Sequence, residues 1–246
     1  MRVMRGERSF TVEVAADGEG LVSRAGAALV AGVGDRLGLT RALSLRLAGI
    51  KRRRRGHDPG RVIRDLAVML ADGGDCVADL GAVRDQRGLF GPVASDSTAF
   101  RVIDRVASEP GLREALRAAH ARAREPFWRL HGAPERLTID IDATLITAHS
   151  DKEGAAGNYK HGYGFHPLQA YGDETREALA GMLRPGNAGA NTAADHVTVL
   201  DRALAQIPAE FIESLEILVR ADRAGPTHEL AGHCRGGRMR FSLGYT

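Results

Sequence analysis

The stretch from Leu137 to Ala148, Leu-Thr-Ile-Asp-Ile-Asp-Ala-Thr-Leu-Ile-Thr-Ala, constrains the fold more than any other part of this chain. Apolar and polar residues alternate through it. An extended strand therefore presents Ile139, Ile141, Ala143 and Leu145 on one face and Asp140, Asp142 and Thr144 on the other. Aspartate is poorly suited to a strand interior, and two like charges on one face resist burial. An Asp pair at i and i+2 in a β-branched run thus points to a divalent cation or to phosphate chemistry, the alternative being an exposed strand face with solvated acids.

At 246 residues the chain can bury a sizeable core, in one large domain or two small ones. The formal net charge is only +3, yet Lys supplies 3 of the 34 basic residues and Arg the rest. Arg forks suit phosphates and raise nucleic acid as a partner, although a GC-rich genome also inflates Arg, Ala and Gly. Cys76 and Cys234 lie far apart with no CxxC, which gives neither a disulfide framework nor a metal knuckle. The N-terminus lacks the apolar core of a signal peptide, and no run of 18 apolar residues occurs. A reduced, cytoplasmic protein with no membrane association is expected.

Residues 1–131 read as mainly helical. A strand-like piece, Phe10 to Val14, precedes a helical pattern from Leu21 to Leu47 interrupted near Gly32, Gly34 and Gly38. Lys51, Arg52, Arg53, Arg54 and Arg55 form the densest charge in the chain, either a solvated loop or a phosphate-contacting one. Asp58-Pro59 reads as an N-cap with Pro at the first helical position, ahead of an apolar face of Val62, Ile63, Leu66, Ala67 and Leu70 that stops at Gly73-Gly74. Ser95 to Thr98 caps a segment with Phe100, Ile103 and Val106 at helical spacing, and Pro110-Gly111 opens a longer helix through about Trp128. These helices are compatible with a helix-turn-helix in which Arg101 and Arg105 face DNA, or with plain core packing. A boundary is expected at His131 to Pro134.

Residues 132–246 alternate strand and helix. The glycines at 154, 157, 162 and 164 suggest a loop or hairpin, and Gly164 to Tyr171 and Ala178 to Leu183 read as strands around a turn at Gly172 to Glu174. Asn191 to Asp195 resembles a capping box, opening a helix with Val197, Leu200, Leu204 and Ile207 on one face. Glu216 to Asp222 is a buried-type strand ending in an acid, Pro226 to Gly232 a short helix, and Arg238 to Tyr245 a final strand. A meander of three strands followed by a helical crossover predicts an α/β mixed sheet with flanking helices, in which the Asp222 strand lies parallel beside the Asp142 strand.

This order resembles the ribonuclease-H-like core of DDE-class insertion-sequence transposases of bacterial mobile elements. The motifs carrying the resemblance are Ile139 to Thr144, Gly164-Phe165-His166-Pro167-Leu168, Leu183 to Asn187 with Asn191 to Asp195, and Arg220-Ala221-Asp222-Arg223-Ala224-Gly225; Leu80 to Phe90 and Ser95 to Thr98 resemble the family's N-terminal region. The resemblance implies a helical DNA-binding or assembly region over 1–131 and a catalytic domain over 132–246. It makes Asp142 the first catalytic carboxylate and Asp222 the second, with Asp140 a companion, all three holding Mg²⁺ or Mn²⁺. Two ions about 4 Å apart then drive in-line phosphoryl transfer on double-stranded DNA, at the element ends and at the target. The resemblance also admits a homodimer, and places Arg184 and Asn187 in a family motif that contacts DNA or orders the loop. The family's third acid is a Glu on a helix after the last strand, whereas Glu229, the last acid here, precedes that strand. An incomplete ribonuclease-H-like sheet and a truncated, inactive transposase are therefore expected.

Two other readings stay open. Asp140 to Thr144 also resembles the Asp-x-Asp-x-Thr signature of haloacid-dehalogenase-like phosphohydrolases, with Asp140 as nucleophile and Asp142 as general acid or base, a motif that should open a parallel αβ domain. A non-catalytic DNA-binding remnant is the other. His228, His233 and Cys234 do not have zinc spacing, and Lys152, Lys160 and His161 lie in a loop near the acids, meeting phosphates or solvent.

Overall fold

The computed structural model describes residues 25–51, 55–189, 192–222 and 227–244. The strand-like piece at Phe10 to Val14, Arg52 to Arg54, Asn191 and residues 223–226 lie outside the described residues. The chain forms two compact units, 1–127 and 128–246.

The first unit is helical: α1 (Ala25–Arg36), α2 (Leu39–Arg46), α3 (Pro59–Ala71), α4 (Leu80–Arg84), α5 (Arg87–Phe90), α6 (Asp96–Ser108) and the start of α7 (Pro110–His131). Gly38, at φ 76°, breaks the expected first helix into α1 and α2, because a side chain there would meet the left-handed penalty. The Asp58 carboxylate accepts the Arg61 N–H and Pro59 occupies the first turn, so α3 starts where its cap directs. Val62, Leu66 and Met69 of α3 pack with Ala27 and Ala31 of α1 and with Leu80, Val83 and Val102. Arg64 and Asp65 are buried as an ion pair, and Arg64 also reaches Asp35 of α1. On α6 the buried face is Ala99, Val102 and Val106, whereas Phe100 is 61% exposed and Ile103 37%. The expected Phe100, Ile103, Val106 face is thus corrected: two apolar stripes about 100° apart share this helix, and tertiary packing selects the other one.

The second unit begins inside α7, because Trp128 belongs to the core of the sheet. Its ring lies 5.7 Å from that of Phe211 and its indole N–H donates to Glu177 at 3.1 Å. The sheet comprises β1 (Arg136–Ala143), β5 (Leu168–Gly172), β6 (Glu177–Met182), β7 (Glu216–Ala221) and β8 (Arg240–Leu243), in the order β6-β5-β1-β7-β8. β1 pairs antiparallel with β5 and parallel with β7; β5 pairs antiparallel with β6, and β7 parallel with β8. Helices α8 (Ala193–Leu204), α9 (Ala209–Ile212) and α10 (His228–Gly236) make the connections. Leu137, Ile139, Ile141, Leu168, Ala170 and Val219 pack with Val199, Leu200 and Ala203 of α8 and Leu230 and Cys234 of α10. The alternation of β1 therefore commits its apolar side to the helices and turns Asp140 and Asp142 to the other side.

The stretch from Leu137 to Ala148 is not one strand. β1 ends at Ala143, and a second, three-stranded sheet, β2-β4-β3, is built from β2 (Ile146–Thr147), β3 (Ala156–Gly157) and β4 (Tyr163–Phe165). Pro167, which lacks an N–H, separates β4 from β5, so the expected single strand from Gly164 to Tyr171 is divided between the two sheets. At Gly164, φ 154°, a Cβ would collide with the Ile146 carbonyl, so this turn of the chain requires glycine.

Candidate active site

In the parallel pairing Asp140 lies opposite Arg220 and Ile141 opposite Ala221; Asp142 is the next residue of β1, and Asp222 directly follows the end of β7. On the other side of β1, Tyr171 lies opposite Asp140 and Gln169 opposite Asp142. Tyr171, Asp140 and Arg220 thus make one rung across β5, β1 and β7, and Gln169 and Asp142 pair on a second. Asp140, Asp142, Tyr171, Arg220 and Asp222 line an open cleft of about 560 Å³ at this end of the sheet.

The two rungs differ electrostatically. The Arg220 guanidinium donates from Nε to Asp140 Oδ1 at 2.5 Å and from Nη2 to Asp140 Oδ2 at 2.6 Å, a two-point ion pair, and from Nη2 to Asp173 at 3.1 Å. Those bonds, with the charges of Asp140 and Asp173, push the pKa of Arg220 up and fix its positive charge. Asp142 is exposed, and its Oδ1 accepts the N–H of Ala143 at 2.8 Å. The exposed Asp222 carries an electrostatic coupling to His196, a buried imidazole in the first turn of α8. Two neighbouring carboxylates that repel each other are relieved by a bound cation, and hard oxygen donors suit Mg²⁺ or Mn²⁺. The pair thus fits such an ion on its donor chemistry. Among the described residues no group of three His, Cys, Asp or Glu side chains gathers there or elsewhere as a metal site. Both oxygens of Asp140 are engaged by Arg220.

Arg184 bonds to carbonyls of its own unit. It is 3% exposed, and its guanidinium donates to the carbonyls of His166 at 2.9 Å and Gly189 at 3.0 Å and to Asp195 at 3.2 Å. It orders the loop and is closed to DNA. Asn187 of the same motif is exposed. In the helical unit, Lys51, His57, Arg101 and Arg105 line one groove together with Asp104. Arg101 is exposed and bonds Thr98 at 3.0 Å, and Arg105 pairs with Glu109. Arg55 is exposed. His233 pairs with Asp201 at 2.7 Å and Cys234 is buried, so neither forms part of a zinc cluster. Arg220 was missing from the residues expected here, although its spacing announced it: Arg220-Ala221-Asp222 repeats Asp140-Ile141-Asp142 with opposite charge in the first place.

An antiparallel β1-β5-β6 meander, a helical crossover into β7 parallel to β1, and β8 parallel beyond it define a ribonuclease-H-like fold. The chain belongs to the family described as Transposase DDE domain group 1, whose model matches residues 5–246. No protein of curated function matches it. Two solved structures are similar. One is the Mos1 mariner paired end complex with Mn, at 12% identity, covering 78% of this chain and 62% of that one with a TM-score of 0.31. The other is a pre-cleavage Mos1 transpososome, at 12% identity, covering 78% and 61% with a TM-score of 0.30. The chain thus spans about three fifths of the length of those proteins. Family membership and the antiparallel β5 beside β1 remove the basis for the phosphohydrolase reading, which requires a parallel domain. No helix among the described residues is long and apolar enough to cross a membrane.

Proposed function

We propose that this chain serves metal-dependent cleavage and transfer of DNA strands during transposition of an insertion sequence, with Asp142 and Asp222 as its first two catalytic carboxylates. The observation that supports this is the parallel β1-β7 register, which runs to Ile141 opposite Ala221, the residues just before the two acids, in a chain of the DDE transposase family. Neighbouring strands lie about 4.8 Å apart, close enough for both carboxylates to touch one cation. Mg²⁺ or Mn²⁺ held there supplies Lewis-acid polarisation of a phosphodiester and lowers the pKa of the attacking hydroxyl. The protein's own part is positioning: β1 carries Asp142, β7 leads into Asp222, and the Ala143 N–H orients the Asp142 carboxylate. Double-stranded DNA, at element ends and target, is the substrate, and a homodimer would bring two ends together.

With Asp142 and Asp222 as the only two ligands proposed, a second ion is poorly held. These 246 residues are therefore expected to bind Mn²⁺ weakly, to lose that binding in Asp142→Ala or Asp222→Ala, and not to excise a model element efficiently. Metal titration of the three proteins, with cleavage of a labelled element end in Mn²⁺, is the test. Metal binding indifferent to both substitutions would sink the site, and robust Asp-dependent cleavage would sink its incompleteness. The basic groove of Lys51, Arg101 and Arg105 favours one further reading, a DNA-binding fragment without catalysis. Salt-sensitive duplex binding with no affinity for Mn²⁺ would select it.

A further inference from the structure

We propose that the small sheet β2-β4-β3 is a stacking platform for unpaired bases of a DNA strand, with Tyr159, Tyr163 and His149 as its rings. The DNA partner is that of the function proposed above; the surface and the single-stranded form are new. Three of the chain's four tyrosines, Tyr159, Tyr163 and Tyr171, lie close together in the sequence, and all three are exposed, Tyr159 by 67%. One exposed ring needs no reason, whereas a cluster marks a contact surface. The rings are held in place. Tyr159, Lys160 and His161 form the tip of a turn in which the Asn158 side-chain oxygen accepts the N–H groups of Lys160 at 3.0 Å and Gly162 at 3.1 Å, while the Asn158 N–H donates to the Gly162 carbonyl at 2.8 Å. On β4 the Tyr163 ring lies nearly parallel to that of His149, with centroids 6.0 Å apart and an angle of 13° between the planes. The partner of Tyr163 on β3 is Gly157, where an added Cβ would meet nothing nearer than the Gly162 carbonyl at 4.0 Å, so β3 places no side chain against that flank of the ring. Rings fixed in advance take a base at little cost in side-chain freedom. Charge points to the backbone that such bases carry. From Gly154 to Gly172 there is no acid, and the Lys160 ammonium stands 5.7 Å from the centre of the Tyr159 ring, within reach of the phosphate of a base stacked there. Asp151 and Glu153 flank Lys152 and offset its attraction, so stacking supplies most of the affinity. The surface adjoins the cleft: Thr144 and Leu145 alone separate β1 from β2, at most about 11 Å of extended chain, and Tyr171 lines the cleft itself.

The experiment is fluorescence anisotropy of the 246-residue chain with a labelled oligothymidylate of about 12 nucleotides and with a duplex of the same length. Both are measured in a Lys51→Gln/Arg101→Gln background, so that the groove of the helical unit does not mask the signal, with thermal melts to check folding. Tyr159→Ala and Tyr163→Ala should each weaken single-strand binding about 5-fold or more while changing duplex binding by less than about 2-fold. Tyr159→Phe and Tyr163→Phe should stay within about 2-fold of the background chain, because the ring face and not the hydroxyl makes the contact. Lys160→Gln should flatten the slope of log affinity against log salt for the single strand by about 0.7, the value of one phosphate contact. Single-strand affinity indifferent to both alanine substitutions would overturn the platform, as would equal losses for strand and duplex, or Tyr→Phe variants as weak as the Tyr→Ala ones. Absence of single-strand binding at about 100 μM protein would overturn it as well. If an alanine variant does not fold, Tyr159→Leu or Tyr163→Leu decides: leucine keeps apolar bulk without a π-face, and undiminished binding there would overturn the proposal. The Mn²⁺ titration of Asp142→Ala and Asp222→Ala reads the proposed catalytic site separately, so the platform and that site can each fail with the other intact.

Discussion

His196 lies 1% exposed in the first turn of α8, with its Nδ1 2.9 Å from the Thr192 carbonyl. Burial pushes its pKa below the ordinary 6.5, outweighing the bond to Thr192 and the attraction of Asp195 and Asp222. An unfolded chain takes up this proton near pH 6.5 while the folded chain does so only at lower pH. The stability that a neutral His196 confers is therefore complete above pH 6.5 and falls as the pH drops toward the folded pKa, by at most about 1.4 kcal/mol per pH unit. Urea unfolding between pH 5 and pH 8 should show this decline, and His196→Gln should flatten it; equal slopes would refute it. Glu174 acts in a lower window. Burial raises its carboxyl pKa, but the Thr138 hydroxyl at 2.7 Å and N–H at 2.6 Å outweigh that and hold it below the usual 4.5. Its contribution is present above pH 4.5 and is lost as the pH falls through the depressed value. Because Glu174 is exposed, Glu174→Gln should cost only about 1 kcal/mol at neutral pH, measured by urea unfolding, and the cost should vanish in acid.

The elements around the acids explain why the family motifs have their form. Leu183 to Asn187 serves as a brace for the small sheet. Phe165 bridges to Pro185, His166 N–H donates to the Arg184 carbonyl at 3.1 Å, and Gly186 N–H donates to the Gly154 carbonyl at 3.2 Å. Gly186 approaches so closely that a Cβ would collide with the Ala156 and Gly164 carbonyls. Gly186→Ala should thus force β3 and β4 apart and cost about 1–3 kcal/mol, read as a lower melting temperature, with an unshifted melt counting against the brace. None of this was legible in the sequence, where the glycines from 154 to 164 read as a connection. Two-residue strands such as β2 and β3 carry no periodicity of their own, and the brace that holds them comes from a segment on the far side of β5 and β6. The large sheet was legible for the converse reason. β1 and β7 each bury one face, so alternation in Leu137 to Ala143 and an apolar run in Glu216 to Ala221 declared both strands and the acid at each end. The partners of Asp140 and Arg184 were not readable, because a motif shows that a charge is required at a position and not whether that charge meets solvent, a cation or its own chain.

At the scale of the whole molecule, two units with separate cores divide the chemistry: acids gather on the sheet of one, and cations around a groove of the other. Lys51, exposed at the edge of that groove, stands with Arg101 and Arg105 on a surface that the sequence joined only by conjecture. Side chains that neutralise phosphates release counterions from the duplex, so binding weakens with salt in proportion to their number. Lys51→Gln and Arg101→Gln together should weaken duplex binding for every sequence tested and flatten the slope of log affinity against log salt by about 0.9 for each phosphate left without its cation. Arg105→Gln should do less, because its guanidinium is already shared with Glu109. Asp142→Ala, on the other unit, should leave the slope unchanged, which separates the electrostatic footprint from the proposed cation site. A filter-binding titration of the full chain over about 50–200 mM salt measures all of these. If the Lys51 and Arg101 substitutions leave the slope where it was while Asp142→Ala alters it, the groove does not hold DNA and the duplex lies across the sheet instead.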